Sequence, residues 1–283
     1  MADTTSWIGD RDGWATFFAG FERIVLVANS DAVDIAALRQ RFGDDALYMF
    51  FNKVFKVLSE PFAGSCLLVA RSSPAGANIV YRNEVESVLG LLRSPKFRGV
   101  LNLRAAPAET FSRAEEFGGA RAGFLDLAHY FDDFYPSSHV PTSGFALAVW
   151  LVENCPTSRI VLAGFTAQRS VQWKLFHDHD WTFEQIVQRL LLRSNKIERI
   201  GAPETSGLEA IARRFPDTAS EELSLVASQV LAERLEGSNM AIDRLFSLTR
   251  LQGRVDGLLR SLKPKTRKQK LAAKASGEMK SRP

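Results

Sequence analysis

Short, uninterrupted apolar runs constrain this chain more than any other feature. Ile24-Val-Leu-Val-Ala28, Leu47-Tyr-Met-Phe-Phe51, Ser65-Cys-Leu-Leu-Val-Ala70, Gly99-Val-Leu-Asn-Leu103 and Arg159–Ala163 are too short for buried helices and show little polar alternation. A strand that is apolar throughout must be covered on both faces, which is the condition of a parallel sheet layered between helices. The segments between them read as helices. Ala32–Arg41 follows a turn with Ser30 or Asp31 as N-cap, Ala77–Arg93 carries apolar residues at helical spacing, and Glu109–Phe117 and Phe145–Val152 continue the alternation. Gly123–Leu127 reads as one more strand. The pattern predicts a doubly wound, mostly parallel α/β sheet.

The pattern changes near Arg199. Glu204–Arg214, Ser220–Leu235 and Met240–Leu262 read as helices, the last with near-heptad apolar spacing. The expected organisation is an α/β catalytic domain over 15–200, a C-terminal helical region packed on it over 201–262, and a basic tail over 263–283. From Arg260 onward there are nine Lys/Arg against one acid, Glu278, so the sequence pI near 9.1 belongs to the tail and the body is acidic. The tail is too poor in apolar residues to fold and reads as disordered. An inert solvated end is one reading. Peripheral contact with an anionic membrane is the other, at roughly 1 kcal/mol per basic residue near such a surface. Without aromatic residues to stack on bases, the tail is no specific nucleic-acid binder.

No apolar run reaches a membrane-spanning length, and the start, Met1-Ala-Asp-Thr-Thr-Ser-Trp7, has no signal-like character. Two cysteines, Cys66 and Cys155, without CxxC spacing suit a reducing compartment. The expectation is a cytoplasmic protein. Oligomeric state is not legible.

Chemistry-bearing residues gather in one stretch and at strand ends. Thr142, Ser143 and Gly144 open a helix, where free N–H groups, two hydroxyls and a missing Cβ make an anion seat or a plain capping turn. Asn29 and Ser30, and later Asn52, close apolar strands and are placed to grip a nucleotide or to cap locally. Neither a GxGxxG nor a GxxxxGK[ST] pattern is present, which argues against an ordinary dinucleotide fold and a P-loop NTPase. His177 and His179 are two of only four histidines. With Asp178 and Asp180 they suggest a metal site, but a histidine hydrolase motif needs a third His where Thr182 stands. His179 reads better as a base at a helix start capped by Asp180 or Thr182, with Glu184 in the first turn.

Taken together, these pieces resemble the sialylmotifs of the animal-type sialyltransferase family. Val27-Ala-Asn-Ser30 and Phe50-Phe-Asn52 are similar to parts of the large motif. Pro141-Thr-Ser-Gly144 through Val161-Leu-Ala-Gly-Phe165 is similar to the small motif, and His179-Asp-Trp-Thr-Phe-Glu184 to the very small one. The resemblance runs in order over residues 22 to 190. Ala28 and Asp31 stand where the family has glycines, and Cys155 has no large-motif partner near Glu22, so the family's disulfide cannot form. The family's separate aromatic motif is not recognisable, and His177 is only a positional stand-in for it.

The resemblance implies a Rossmann-like, GT-A-variant fold and an inverting, metal-independent glycosyltransferase without a cofactor. Its donor would be a CMP-activated 3-deoxy-2-ulosonic acid, sialic acid or Kdo, and its acceptor a glycan or lipid-linked saccharide of a surface polymer such as lipopolysaccharide or capsule. His179 would be the base, with His177 and Glu184 supporting catalysis. Asn29, Ser30, Asn52, Thr142, Ser143, Gly144, Gly164 and Phe165 would hold the donor. A non-catalytic nucleotide- or glycan-binding protein on the same scaffold is the alternative, and a metal-dependent hydrolase is the third reading.

Overall fold

The computed structural model describes residues 7–72, 78–166 and 178–201, with a second set of positions between 211 and 240. The chain divides into two compact units, Met1–Ala202 and Pro203–Pro283. In the first, strands β1 (Arg23–Val27), β2 (Leu47–Phe51), β3 (Cys66–Arg71), β4 (Phe97–Arg104), β5 (Ala122–Asp126), β6 (Arg159–Ala163) and β7 (Ile197–Ile200) form one sheet. Its order is β5-β4-β3-β2-β1-β6-β7, and every pairing is parallel. The chain winds outward from β1 to β5, then returns to place β6 on the other side of β1. That reversal is the topological switch point, and in open parallel sheets ligands collect beyond the strand ends there.

Alternating residues feed two cores, as the period of a strand requires. Ile24, Leu26, Met49, Leu67, Val69, Leu101 and Leu125 pack with Trp14 and Phe18 of α1 (Arg11–Ala19) and with α4 (Ser143–Asn154). Val25, Val27, Tyr48, Phe50, Leu68 and Val161 pack with Leu38 and Phe42 of α2 (Ile35–Phe42) and Val88 and Leu89 of α3 (Val85–Gly90). α4 is buried from Gly144 to Leu151, because it is the return crossover and lies within the first core. α5 (Trp181–Arg193) starts at Asp180, whose side chain accepts from Phe183 N.

Several expected elements shift for local reasons. The helix after β1 begins at Ile35 with Asp34 as its cap, since Ser30 closes a turn in which its Oγ accepts from Ala32 N and its carbonyl from Val33 N. The helix expected over 77–93 shrinks to α3. Asn78 Oδ1 folds back on Val80 N and Tyr81 N, and Asn83 takes φ +55, a conformation no helix continues through. Of Glu109–Phe117 only a 3₁₀ turn, Ala114–Phe117, is helical, because Glu109 is drawn to Arg71 and to the Ala105 and Ala106 amides. α1 and β7 are additions to the expected elements.

In the second unit, residues 221–233 are helical and expose Leu225, Val226, Val230 and Leu231. The helix expected over 204–214 lies largely, and the helix over 240–262 and the tail over 263–283 almost wholly, outside the described residues. Among the described residues no helix is long and apolar enough to cross a membrane.

Candidate functional site

Parallel strands bring all their carboxyl ends to one edge, and residues just beyond those ends are tied to each other across it. Asn29 follows β1 and donates from Nδ2 to Phe51 O at 2.9 Å. Asn52, at φ +24, follows β2 and its Oδ1 accepts from Arg71 N at 3.1 Å. Arg71 ends β3 and reaches the start of α4, with Nη1 donating to Pro141 O at 3.0 Å and Ser143 Oγ at 3.3 Å. Its Nε donates to Glu109 Oε1 at 2.7 Å, both side chains being 10% exposed. Four elements are thus stitched in the order β1, β2, β3, α4.

Glu184 adds α5. It is 2% exposed, accepts from Thr142 N and Thr142 Oγ1, each at 2.7 Å, and accepts from Tyr135 OH at 3.0 Å. Tyr135 OH in turn accepts from Asp180 N at 3.0 Å. Burial pushes the Glu184 carboxyl up to about 7, against the pull of the Thr142 and Tyr135 donors and of the Arg71 charge. This carboxylate clamps the cap of α4 and does not face outward. Thr142 is occupied in the same way, since its Oγ1 also accepts from Phe145 N at 3.1 Å. An anion seated on α4 would therefore meet the first-turn N–H groups of Ser143 and Gly144, which no helical carbonyl can reach.

His179 is half-buried beside this seat. Its Nδ1 donates to Val140 O at 2.7 Å, while Val140 N donates to Asp178 O at 2.9 Å. A carbonyl can only accept, so the proton of the neutral ring is on Nδ1 and the lone pair on Nε2. Burial holds its pKa below the ordinary histidine value, with the Arg71 charge in the same direction, while the bond to Val140 and the charges of Asp178 and Glu109 oppose it. The ring is edge-on to Trp181 at 5.6 Å.

The two glycines of the stretch serve packing. A Cβ on Gly144 would sit 2.3 Å from the Phe165 ring, so Phe165 lies directly on the first turn of α4. Gly164 has φ +76, and a Cβ there would lie 2.4 Å from Val33 Cγ2 and 3.2 Å from Ser30 Cβ. It is the point where the end of β6 passes the turn after β1. Ser30, Gly164, Phe165 and Gly144 thus form one packed seam at the switch point. Asn29 Oδ1 is buried in that neighbourhood without a hydrogen-bond partner among the described residues.

The structure gathers Asn29, Ser30, Asn52, Thr142, Ser143, Gly144, Gly164, Phe165, His179 and Glu184 along one edge, although more than half the chain lies between the first and the last. His177 lies outside the described residues. Sequence reasoning missed Arg71, Glu109, Tyr135 and the Val140 carbonyl. An arginine closing an otherwise apolar strand was the available signal for Arg71, and the Tyr/Phe-rich loop before Pro136 was that for Tyr135. No family model matches this chain, and no curated protein matches it either. Among solved structures, a mammalian sialyltransferase in complex with Gal-β-1-3GalNAc-ortho-nitrophenol is similar at 14% identity, covering 69% of this chain and 68% of that one, with a TM-score of 0.30. A likeness of that size assigns no activity to this chain.

Proposed function

We propose that the chain is an inverting, metal-independent glycosyltransferase that moves a 3-deoxy-2-ulosonic acid, a sialic acid or Kdo, from its CMP-activated form to a saccharide hydroxyl. The observation that carries this reading is the pinned, neutral His179, with Nε2 as its basic nitrogen, beside the first turn of α4, whose leading N–H groups no helical carbonyl can reach. A CMP-ulosonate supplies its own leaving group, so the protein needs two things: a base for the acceptor hydroxyl and a seat for the departing phosphate. Nε2 of His179 takes the hydroxyl proton as the acceptor oxygen bonds to the anomeric carbon from the face opposite CMP. The phosphate leaves onto the Ser143 and Gly144 N–H groups, with the Arg71 guanidinium behind Ser143 Oγ. Asn29, through its unpartnered Oδ1, and Asn52 hold the nucleotide. Glu184 acts as a positioning residue through Thr142. The motif resemblance supports the choice of CMP, and no cofactor enters the scheme.

The test is release of CMP from CMP-Neu5Ac and CMP-Kdo with a panel of saccharide acceptors, in chelator, with the product's anomeric configuration read by NMR. Acceptor-dependent release with inversion is expected. Release that requires added metal would overturn the scheme, and CMP binding without turnover of any donor would return the non-catalytic reading. The basic tail we assign to peripheral contact with an anionic membrane carrying the acceptor. Deleting 263–283 should abolish sedimentation with anionic liposomes at low salt and spare transfer to a soluble acceptor.

A further inference from the structure

The opposite edge of the sheet, where the strands begin, carries a second feature unrelated to the histidine. A cavity of about 450 Å3 opens between the starts of β4 and β5, lined by Arg93, Arg98, Arg121, Gly99, Gly118 and Gly119. The three arginines differ in what holds them. Arg93 spends its charge on Glu86, with Nη1 and Nη2 at 2.8 and 3.1 Å from the carboxylate, and braces the cavity wall through Gly118 O at 2.8 Å. Arg98 and Arg121 enter no ion pair among the described residues. Among the described residues no carboxylate lines the cavity; the Glu86 carboxylate that adjoins Gly118 is taken up by Arg93.

Both unpaired guanidinium groups are nonetheless held in place. Arg121 lies over the Trp7 ring at 4.7 Å from its centroid. Arg98 donates from Nε to Ser65 Oγ at 3.2 Å and lies 5.8 Å over Phe21. Stacking and an Nε bond fix the plane of a guanidinium and leave Nη donors for something else. The wall between them is glycine backbone. Gly99, Gly118 and Gly119 have φ of +123, +58 and +75; a Cβ would lie 2.6 Å from Arg121 O on Gly99 and 2.2 Å from Glu86 Oε1 on Gly118, and only on Gly119 would it meet nothing within 4 Å. Two fixed cations with no acid paired to them, in a hollow where Gly119 leaves its backbone uncovered, match an anion that carries several acceptor oxygens.

We propose that this cavity binds a phosphate dianion, as free phosphate or a soluble phosphomonoester or as the phosphomonoester headgroup of a lipid. Two guanidinium forks and a dianion make the complement; a single carboxylate would leave one fork unused. The site shares no residue with the donor-binding edge, so it stands whether or not the glycosyltransferase reading does.

The test follows backbone amide shifts of Gly99, Gly118 and Gly119 in the full chain during titration with inorganic phosphate, at constant ionic strength. Saturable shifts at these glycines are expected, with affinity weakened about tenfold or more in Arg98→Gln/Arg121→Gln and CMP affinity unchanged. Glutamine removes the charge and keeps an uncharged hydrogen-bonding group, and Arg121→Lys, which keeps the charge but loses the fork, should show a smaller loss. Flotation with vesicles containing phosphatidic acid separates the sources. Weaker flotation of the double variant points to lipid, and unchanged flotation with lost phosphate binding points to a free phosphate compound. Absence of glycine shifts, or shifts undiminished in the double variant, would overturn the proposal.

Discussion

Replacing Glu184 by glutamine should remove a pH dependence of stability that the wild-type chain carries. Burial raises this carboxyl from 4.5 to about 7 in the folded state. An unfolded glutamate therefore gives up its proton first as pH rises. The stability contributed by protonated Glu184 is complete below about pH 4.5 and is lost as pH rises through 7. Raising a carboxyl by one pH unit corresponds to about 1.4 kcal/mol, so the whole loss amounts to roughly 3 kcal/mol. Glutamine resembles the protonated carboxyl. Its oxygen can still accept from Thr142 N and Tyr135 OH, and its amide can donate to Thr142 Oγ1, which has a lone pair left beside its bond from Phe145 N. The two chains should then match near pH 4.5, and the variant should lead by roughly 3 kcal/mol at pH 8, a difference of about 6–12 °C in midpoint for a domain of this size. Urea unfolding of both chains at half-unit pH steps measures the difference, in which all other titrating groups cancel. Parallel curves, with a constant offset between pH 4.5 and 8, would refute the reasoning.

His179→Ala should lower turnover by about 10²–10⁴-fold with CMP affinity nearly intact. In the wild type the acidic limb of the rate profile should lie below the ordinary histidine value, as the depressed pKa requires; a nearly fully active alanine variant would remove His179 from the mechanism. Arg71→Met strands the buried Glu109 carboxylate and should cost about 3–5 kcal/mol, part of which Glu109→Gln recovers in the double variant. A calorimetric loss below about 1 kcal/mol would show that the pair does not hold the edge together. Gly164→Ala combines a left-handed φ of +76 with a Cβ 2.4 Å from Val33 and should cost about 1–3 kcal/mol. Val33→Ala in the same chain should relieve the clash, and if it does not, backbone strain alone sets the cost.

The sheet is legible because five of its strands are buried on both faces, and burial on both faces leaves almost no polar interruption in the sequence, the buried Asn102 of β4 being the exception. β7 escapes notice for the same reason in reverse: Ile197-Glu-Arg-Ile200 is four residues long, only Ile197 is buried, and Glu198 and Arg199 hide its period. α1 carries Trp14, Phe17 and Phe18 at helical spacing behind an Asp10 cap, so its signal is present in a segment with few other cues. Apolar spacing alone predicts overlong helices at 77–93 and 109–117, where side chains of Asn78 and Glu109 bond to backbone at the start of each segment and delay its first helical residue to Val85 and Ala114. At the site, strand-end asparagines and the helix-opening Thr-Ser-Gly can be named from the sequence. Their bonding cannot, because Asn29 to Phe51, Arg71 to Pro141 and Thr142 to Glu184 are tertiary contacts across 22 to 70 residues. That is why the bond between Thr142, expected to hold the donor, and Glu184, expected to support catalysis, could not be read from the sequence.

The central claim is that this edge takes a cytidine monophosphate leaving group, and competitive calorimetry with CMP, UDP and GDP tests it most directly. CMP should bind at least about tenfold tighter than either diphosphate, a difference of about 1.4 kcal/mol or more, without added metal. Equal affinity for the three nucleotides, or none for CMP, would contradict it.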